Sequence, residues 1–224
     1  MIGNPLDVRQ VYFCDCGIIE FCRPGQILID MTTSSPPLAK EIYEAAKAKG
    51  VEALDAPVTG AEIGAIKGTL TIMVGGDLAT FERCISLFEI IGSKIVYHGA
   101  AGNGHHCKLA NQITVAGAIS GITEALAYAE SNNLDQQLVL ETMLDGSGHS
   151  RQMEVTGPKI INPTEHIAFY NHHFAKDLTL VNENTQLNLK MTTAVSEMFN
   201  ELLKMGLSEA GFQSVIEYYR VKTT

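Results

Sequence analysis

The chain lacks the cysteine pattern of a disulfide framework. Its five cysteines, Cys14, Cys16, Cys22, Cys84 and Cys107, are odd in number and include no C-x-x-C pair, so a reducing cytoplasm is the expected compartment. A basic block is missing too. The formal net charge is −9, which argues against a partner that tracks nucleic-acid phosphates; a small anionic ligand needs only local positive charge. No charged segment followed by an apolar run opens the chain, so no signal peptide is expected. Long apolar runs are also absent. The longest helix-like stretch, residues 104–132, is broken by Lys108, Asn111, Gln112 and Glu124 and is too polar for a membrane span. Finally, there is no G-x-G-x-x-G turn. The nearest match, Gly102-Asn-Gly104, has Cys107 at the third glycine position, and no acidic residue follows at the required distance.

What is present is alternation. Asp7 can cap a short helix through Tyr12, and residues 26–30 read as a buried strand. Pro36 and Pro37 suit the first turn of a helix that runs to Lys49 and stops at Gly50. Residues 51–54, 70–74 and 95–97 read as further strands, with a helix over 77–91. Such alternation implies a largely parallel sheet covered by helices. After Gly104 the strand signals stop. A long helix to about Asn132 is followed by helical patterns at 134–144, around 172–188, at 191–205 and from about Ser208. The expected fold is therefore α/β: an incomplete doubly wound, Rossmann-type sheet over residues 1–100, then an all-α domain over 101–224 with a long interdomain helix.

Two segments carry chemistry. Asp55-Ala-Pro-Val-Thr59-Gly60-Ala61 leads from a strand into a run with Gly60, Gly64 and Gly68. Glycines there permit positive φ and close approach to main-chain N–H groups, as an anion site at the carboxyl end of a sheet requires. Gly102-Asn-Gly-His-His-Cys-Lys108 opens the long helix, and Lys108, Asn111 and Gln112 share one face by i, i+3, i+4 spacing. A lysine in a helix's first turn feels the positive end of the dipole, which favours its neutral form and suits it to proton transfer. A solvated lysine at a helix start is the ordinary alternative. His105-His106-Cys107 and His172-His173 are adjacent on helices and point apart, so no metal site is expected. Gly117-x-x-x-Gly121 permits close helix packing, between subunits or within one chain.

These segments resemble the β-hydroxyacid dehydrogenase family. Asp30-Met-Thr-Thr33-Ser-Ser-Pro36, the Asp55–Ala61 loop, Gly102-x-Gly104-x-x-x-Lys108-x-x-Asn111-Gln112, and Phe169 with Lys176-Asp177-Leu178 match its motifs in order. Lys-Leu-Ala-Asn-Gln looks most like the tartronate semialdehyde reductase branch. The resemblance implies an NAD- or NADP-dependent oxidoreductase that interconverts a small hydroxy acid and its semialdehyde or oxo acid. It implies that Lys108 is catalytic, and that Thr59, Gly60, Ala61, Asn111, Gln112, Phe169 and Asp177 meet the substrate. Thr33 and Lys176 would meet the cofactor. A homodimer or higher homo-oligomer is expected from the apolar helical half, with no nucleic-acid or membrane partner.

The chain departs from the family pattern in three ways. Its first strand-helix units are absent, roughly sixty residues at about thirty per unit, and with them the pyrophosphate turn; weak dinucleotide binding is therefore expected of the chain as given. Ala61 replaces a usual glycine, and Gly211 stands where an acidic residue is common. The alternative reading is a cofactor-less remnant that acts only as a dimerising helical module or is inactive.

Overall fold

The computed structural model describes residues 1–162, 167 and 169–221. By its internal contacts it divides into two compact units, residues 1–111 and 112–224.

The first unit begins with α1 (Pro5–Phe13) and α2 (Ile18–Phe21), followed by β1 (Ile27–Asp30), α3 (Pro36–Ala48) and β2 (Glu52–Asp55). Next come β3 (Val58–Thr59), α4 (Ala61–Ile66), β4 (Leu70–Gly76), α5 (Leu78–Phe88) and β5 (Gly92–Tyr97). Asn4, not Asp7, caps α1: its side-chain oxygen accepts from the N–H groups of Leu6 and Asp7, while its amide nitrogen donates to the Asp7 carboxylate at 2.8 Å. Asp7 thus lies in the first turn, where its charge suits the helix dipole. α3 begins at the two prolines as expected. It ends where Gly50 turns to φ +68° and the N–H groups of Gly50 and Val51 return to the carbonyls of Lys47 and Ala46, a glycine-dependent helix stop.

The sheet contains two parallel pairs, β1 with β2 and β4 with β5. They meet along an antiparallel junction, Leu54 opposite Gly76 and Asp55 opposite Gly75. β3 also pairs antiparallel with β4, Val58 opposite Ile72. The Rossmann-type pairing is thus parallel on each side of a single reversal. Successive residues of β2 point to opposite faces. Ala53 joins one core with Val8, Tyr12, Leu38, Ile42 and Ala46; Leu54 joins another with Ile72, Val74, Cys84 and Phe88. Helices therefore cover both faces, the doubly wound layering.

The helix α6 (Asn103–Ser131) begins in the first unit and ends in the second. The second unit adds α7 (Gln136–Leu144), α8 (Arg151–Ile161), α9 (Asn171–Glu183), α10 (Lys190–Lys204) and α11 (Ile216–Val221). Its core gathers Ile119, Ile122 and Leu126 of α6, Leu140, Ile160, and Phe174, Leu178, Phe199 and Ile216. Phe174 packs edge-on to Phe199 at 4.8 Å between ring centres, a favoured aromatic geometry. The helix α8 was not anticipated; Ser150 caps it by accepting from the Met153 N–H at 3.1 Å.

Candidate active site

The site residues of the first unit stand around the carboxyl ends of β1 and β2, where open α/β sheets bind ligands. β1 ends at Asp30, whose carboxylate accepts the Thr32 N–H at 2.9 Å. This bond folds the chain back into the loop that carries Thr33, which is half-buried between buried Thr32 and Ser34. The Ser34 hydroxyl is buried with no hydrogen-bond partner among the described residues.

Beyond β2, the expected loop over Thr59–Leu70 is more ordered than its glycines suggested. Thr59 lies on a strand opposite Thr71, and Ala61 starts the short helix α4. Gly60 and Gly68 take positive φ, +133° and +63°, but Gly64 does not. It is buried in the helix, where a β-carbon would meet a Leu70 methyl at 3.1 Å; close packing, not a turn, uses this glycine. Ala61 itself has φ +55°. The glycine that the family usually places here is thus explained by backbone conformation, which favours a residue without a β-carbon.

Lys108 is 7% exposed, so the solvated-lysine alternative fails. It stands in the second turn of α6, whose start is fastened by a residue that sequence reasoning had not used. The Asp55 carboxylate accepts the Gly102 N–H at 2.7 Å and the His105 N–H at 2.9 Å. A helix opens with N–H groups that have no partner inside it. Gly102, immediately before α6, has no side chain to supply the usual cap. Asp55 supplies it from strand β2.

The same carboxylate lies 3.1 Å from Nδ1 of the His105 ring, and the other ring nitrogen lies 3.9 Å from Asp30. Burial acts to raise the Asp55 pKa. The hydrogen bonds from the His105 ring and from the two main-chain N–H groups prevail and hold it below the usual carboxylate range. The available signal was a glycine before a helix start, with no local cap and an acidic residue ending a neighbouring strand.

In the second unit, Gln112 and Asp177 are 3% and 1% exposed. The Gln112 amide donates to an Asp177 oxygen at 2.7 Å. The other Asp177 oxygen lies 3.0 Å from the Lys176 ammonium. Asp177 therefore orients both a neighbouring cation and the amide one helical turn after Lys108. Asn111 is half-buried on α6. Phe169 packs edge-on to Phe174 and Phe212, each at 5.9 Å, against the helical core. Gly211 pairs with Tyr170, in an ordinary extended conformation; a β-carbon there would meet only the movable end of the Gln213 side chain, so the structure does not explain the absence of the acidic residue common in the family.

Other chemistries find less support. Burial pushes the Cys107 thiol pKa up, so it is not a thiolate nucleophile at neutral pH. No three His, Cys, Asp or Glu side chains come together for a metal among the described residues. A small, partly open pocket has Asp30, Ile42, Tyr43, Leu54, Asp55 and Ala101 among its lining residues; none of the expected substrate residues lines it. Among the described residues no helix is long and apolar enough to cross a membrane.

Comparison with known proteins is consistent across the chain. Residues 1–99 match the model of the NAD-binding domain of 6-phosphogluconate dehydrogenase. Residues 102–219 match that of the NAD-binding domain of NADP-dependent 3-hydroxyisobutyrate dehydrogenase. The uncharacterized oxidoreductase YkwC of Bacillus subtilis is 40% identical, over 98% of this chain and 77% of its own length. The 2-hydroxy-3-oxopropionate reductase of Escherichia coli is 36% identical, over 97% of this chain and 75% of its own. Among solved structures, the 3-hydroxyisobutyrate dehydrogenase of Mycobacterium tuberculosis with L-serine superposes with a TM-score of 0.86 at 27% identity, over 98% of this chain and 78% of that one.

Proposed function

The chain belongs to the β-hydroxyacid dehydrogenase family, and we propose that it interconverts a small hydroxy acid and its semialdehyde or oxo acid with NAD or NADP. One observation carries the reading. A buried lysine stands on one helix face with Asn111 and Gln112, and Gln112 is held in orientation by buried Asp177.

In the first unit, Thr33 lies just past the carboxyl end of β1, beside a buried Ser34 hydroxyl that has no hydrogen-bond partner among the described residues, which supports a role in holding the nicotinamide end of such a cofactor. Lys176 is assigned to the cofactor by the resemblance alone. A bound nicotinamide supplies the hydride. The protein's part is orientation and proton transfer. In reduction, Lys108 donates a proton to the substrate oxygen as it gains negative charge. In oxidation, neutral Lys108 accepts the hydroxyl proton. Thr59 and the main-chain N–H groups at Gly60 and Ala61 bind the carboxylate, the Asn111 and Gln112 amides hold hydroxyl and carboxylate, and Phe169 walls the apolar side.

The E. coli relative's named substrate, 2-hydroxy-3-oxopropionate, is the first acid to try. We further place the protein in the cytoplasm, as a homodimer; the described cysteines, all free, support that compartment. The test is turnover with NADH or NADPH and small oxo acids by a version restored to full length with a pyrophosphate-binding turn, wild type against Lys108→Ala. A fall in kcat of at least about 10², with dinucleotide affinity little changed by calorimetry, is expected. Near-full turnover by the variant would remove Lys108 from the role, and no turnover by the wild type with any such acid would overturn the reading.

A further inference from the structure

We propose that His105 is a positioning residue: its imidazole bridges the carboxyl ends of β1 and β2 and fixes the rotation of the first turn of α6, and with it Lys108. The role of Lys108 itself rests on the function proposed above. Two main-chain bonds from Gly102 and His105 to Asp55 anchor where the helix begins. A third bond, from the ring, is needed to stop the turn from rolling about its axis. The Asp55 carboxylate is ionised and can only accept, so the His105 Nδ1 must carry the proton it shares at 3.1 Å. The ring is 1% exposed, and its Nε2, without a hydrogen-bond partner among the described residues, faces the second carboxylate, Asp30, at 3.9 Å.

Asp30 and Asp55 stand opposite each other in the parallel register of β1 and β2, so the imidazole faces both strand ends at once. Gly104, next to it, lies so close to the main chain of β2 that a β-carbon would be 2.6 Å from the Asp55 carbonyl. This close approach seats the turn against the sheet, and the ring bond fixes its rotation there. His105 and Lys108 are three residues apart and share a helix face, so a roll of this turn moves the lysine directly.

Asparagine at 105 places an amide nitrogen near the Nδ1 position and can keep the bond to Asp55. Glutamine reaches toward the Nε2 position, and leucine fills the space without a donor. Three measurements on the full chain separate the cases. First, wild type should show a slowly exchanging imidazole N–H proton from His105 in ¹⁵N-histidine spectra, absent in all three variants. Second, competitive acetylation of Lys108 across pH, read by mass spectrometry, should follow the wild-type profile in His105→Asn and depart from it in His105→Gln and His105→Leu. Third, kcat should fall about tenfold or more in the Gln and Leu variants, with KM nearly unchanged, and recover to within about threefold in His105→Asn.

Should His105→Leu fail to fold, the contrast between Asn and Gln carries the test. The proposal is overturned if the wild-type imidazole signal is missing, or if the Asn and Gln variants behave alike in labelling. A chain that turns over no substrate overturns the functional reading alone; the spectra and labelling profiles still decide the role of His105.

Discussion

Ala61 holds a left-handed backbone, φ +55°, that costs a residue with a β-carbon about 1–2 kcal/mol. Ala61→Gly should therefore raise stability by up to about 1 kcal/mol, after the greater chain entropy that glycine loses on folding. Chemical denaturation checks this, and a lower midpoint would show that the strain is absent. The same methyl bears on selectivity. If it pushes the loop assigned to the carboxylate back or narrows the pocket there, small acids should be preferred over branched 3-hydroxyisobutyrate by about 1–3 kcal/mol per misplaced methyl-sized group. kcat/KM ratios for the two acids, with and without Ala61→Gly, test this; an unchanged ratio would make Ala61 a neutral substitution.

Asp55 gives a prediction with a sign. Its folded pKa is depressed, so its contribution to stability is fully present above the unfolded value of about 3.9 and is lost as pH falls below that toward the folded value. Asp55→Asn should lower Tm at neutral pH, and the gap from wild type should narrow below about pH 4. A gap that stays constant down to pH 3 would mean that the carboxylate's charge contributes nothing.

At the scale of elements, the start of α6 is tightly seated on the sheet of the first unit. Gly104 packs against the carbonyls of Met73 and Asp55 with no room for a methyl group. Gly104→Ala should displace the first turn of α6, on which the turn that carries Lys108 is stacked. Losses of about 1–3 kcal/mol in stability and roughly 10² in kcat are expected, larger in activity than a remote overpacking defect would give. A variant with full turnover would show that the turn adapts.

Elements with strong local signals were legible in the sequence: prolines at the start of α3, the apolar runs of β1, β2 and β4, and the long α6. Those governed by distant contacts were not. No local pattern marked α8, which holds Gly157 and Pro158; Gly157 allows Leu140 to approach, and the core decides. The glycines after Thr59 read as loop, but Gly64 lies in the short helix α4, packed against a Leu70 methyl. Asp55 was visible only as the first letter of a motif. Its role as the cap of α6 depends on a residue 47 positions away in sequence, which no local pattern encodes.

At the scale of the whole molecule, the open question with the sharpest test is association. The helical unit leaves large apolar side chains exposed, including Tyr128 at 68%, Leu138 at 61% and Leu187 at 72%, and small units commonly cover such surface with a second copy. The Gly117-x-x-x-Gly121 pair divides in a telling way. A β-carbon at Gly117 would touch Met191 of the same chain at 3.4 Å, whereas one at Gly121 meets nothing within 4 Å. Intrachain packing therefore accounts for the first glycine but not the second, which lies on the exposed face that also carries Tyr128, the face where the proposed dimer would place a partner helix. A bulky residue at 121 leaves the monomer's own packing intact, and arginine is the better helix former by about 1 kcal/mol, so Gly121→Arg should not unfold the chain. Light scattering should give wild type twice the 24.3 kDa chain mass at micromolar concentration and should shift Gly121→Arg toward the monomer with an unchanged circular dichroism spectrum. A wild type that stays monomeric at high micromolar concentration would end the dimer reading; a Gly121→Arg protein that remains dimeric would place the interface away from this face of α6.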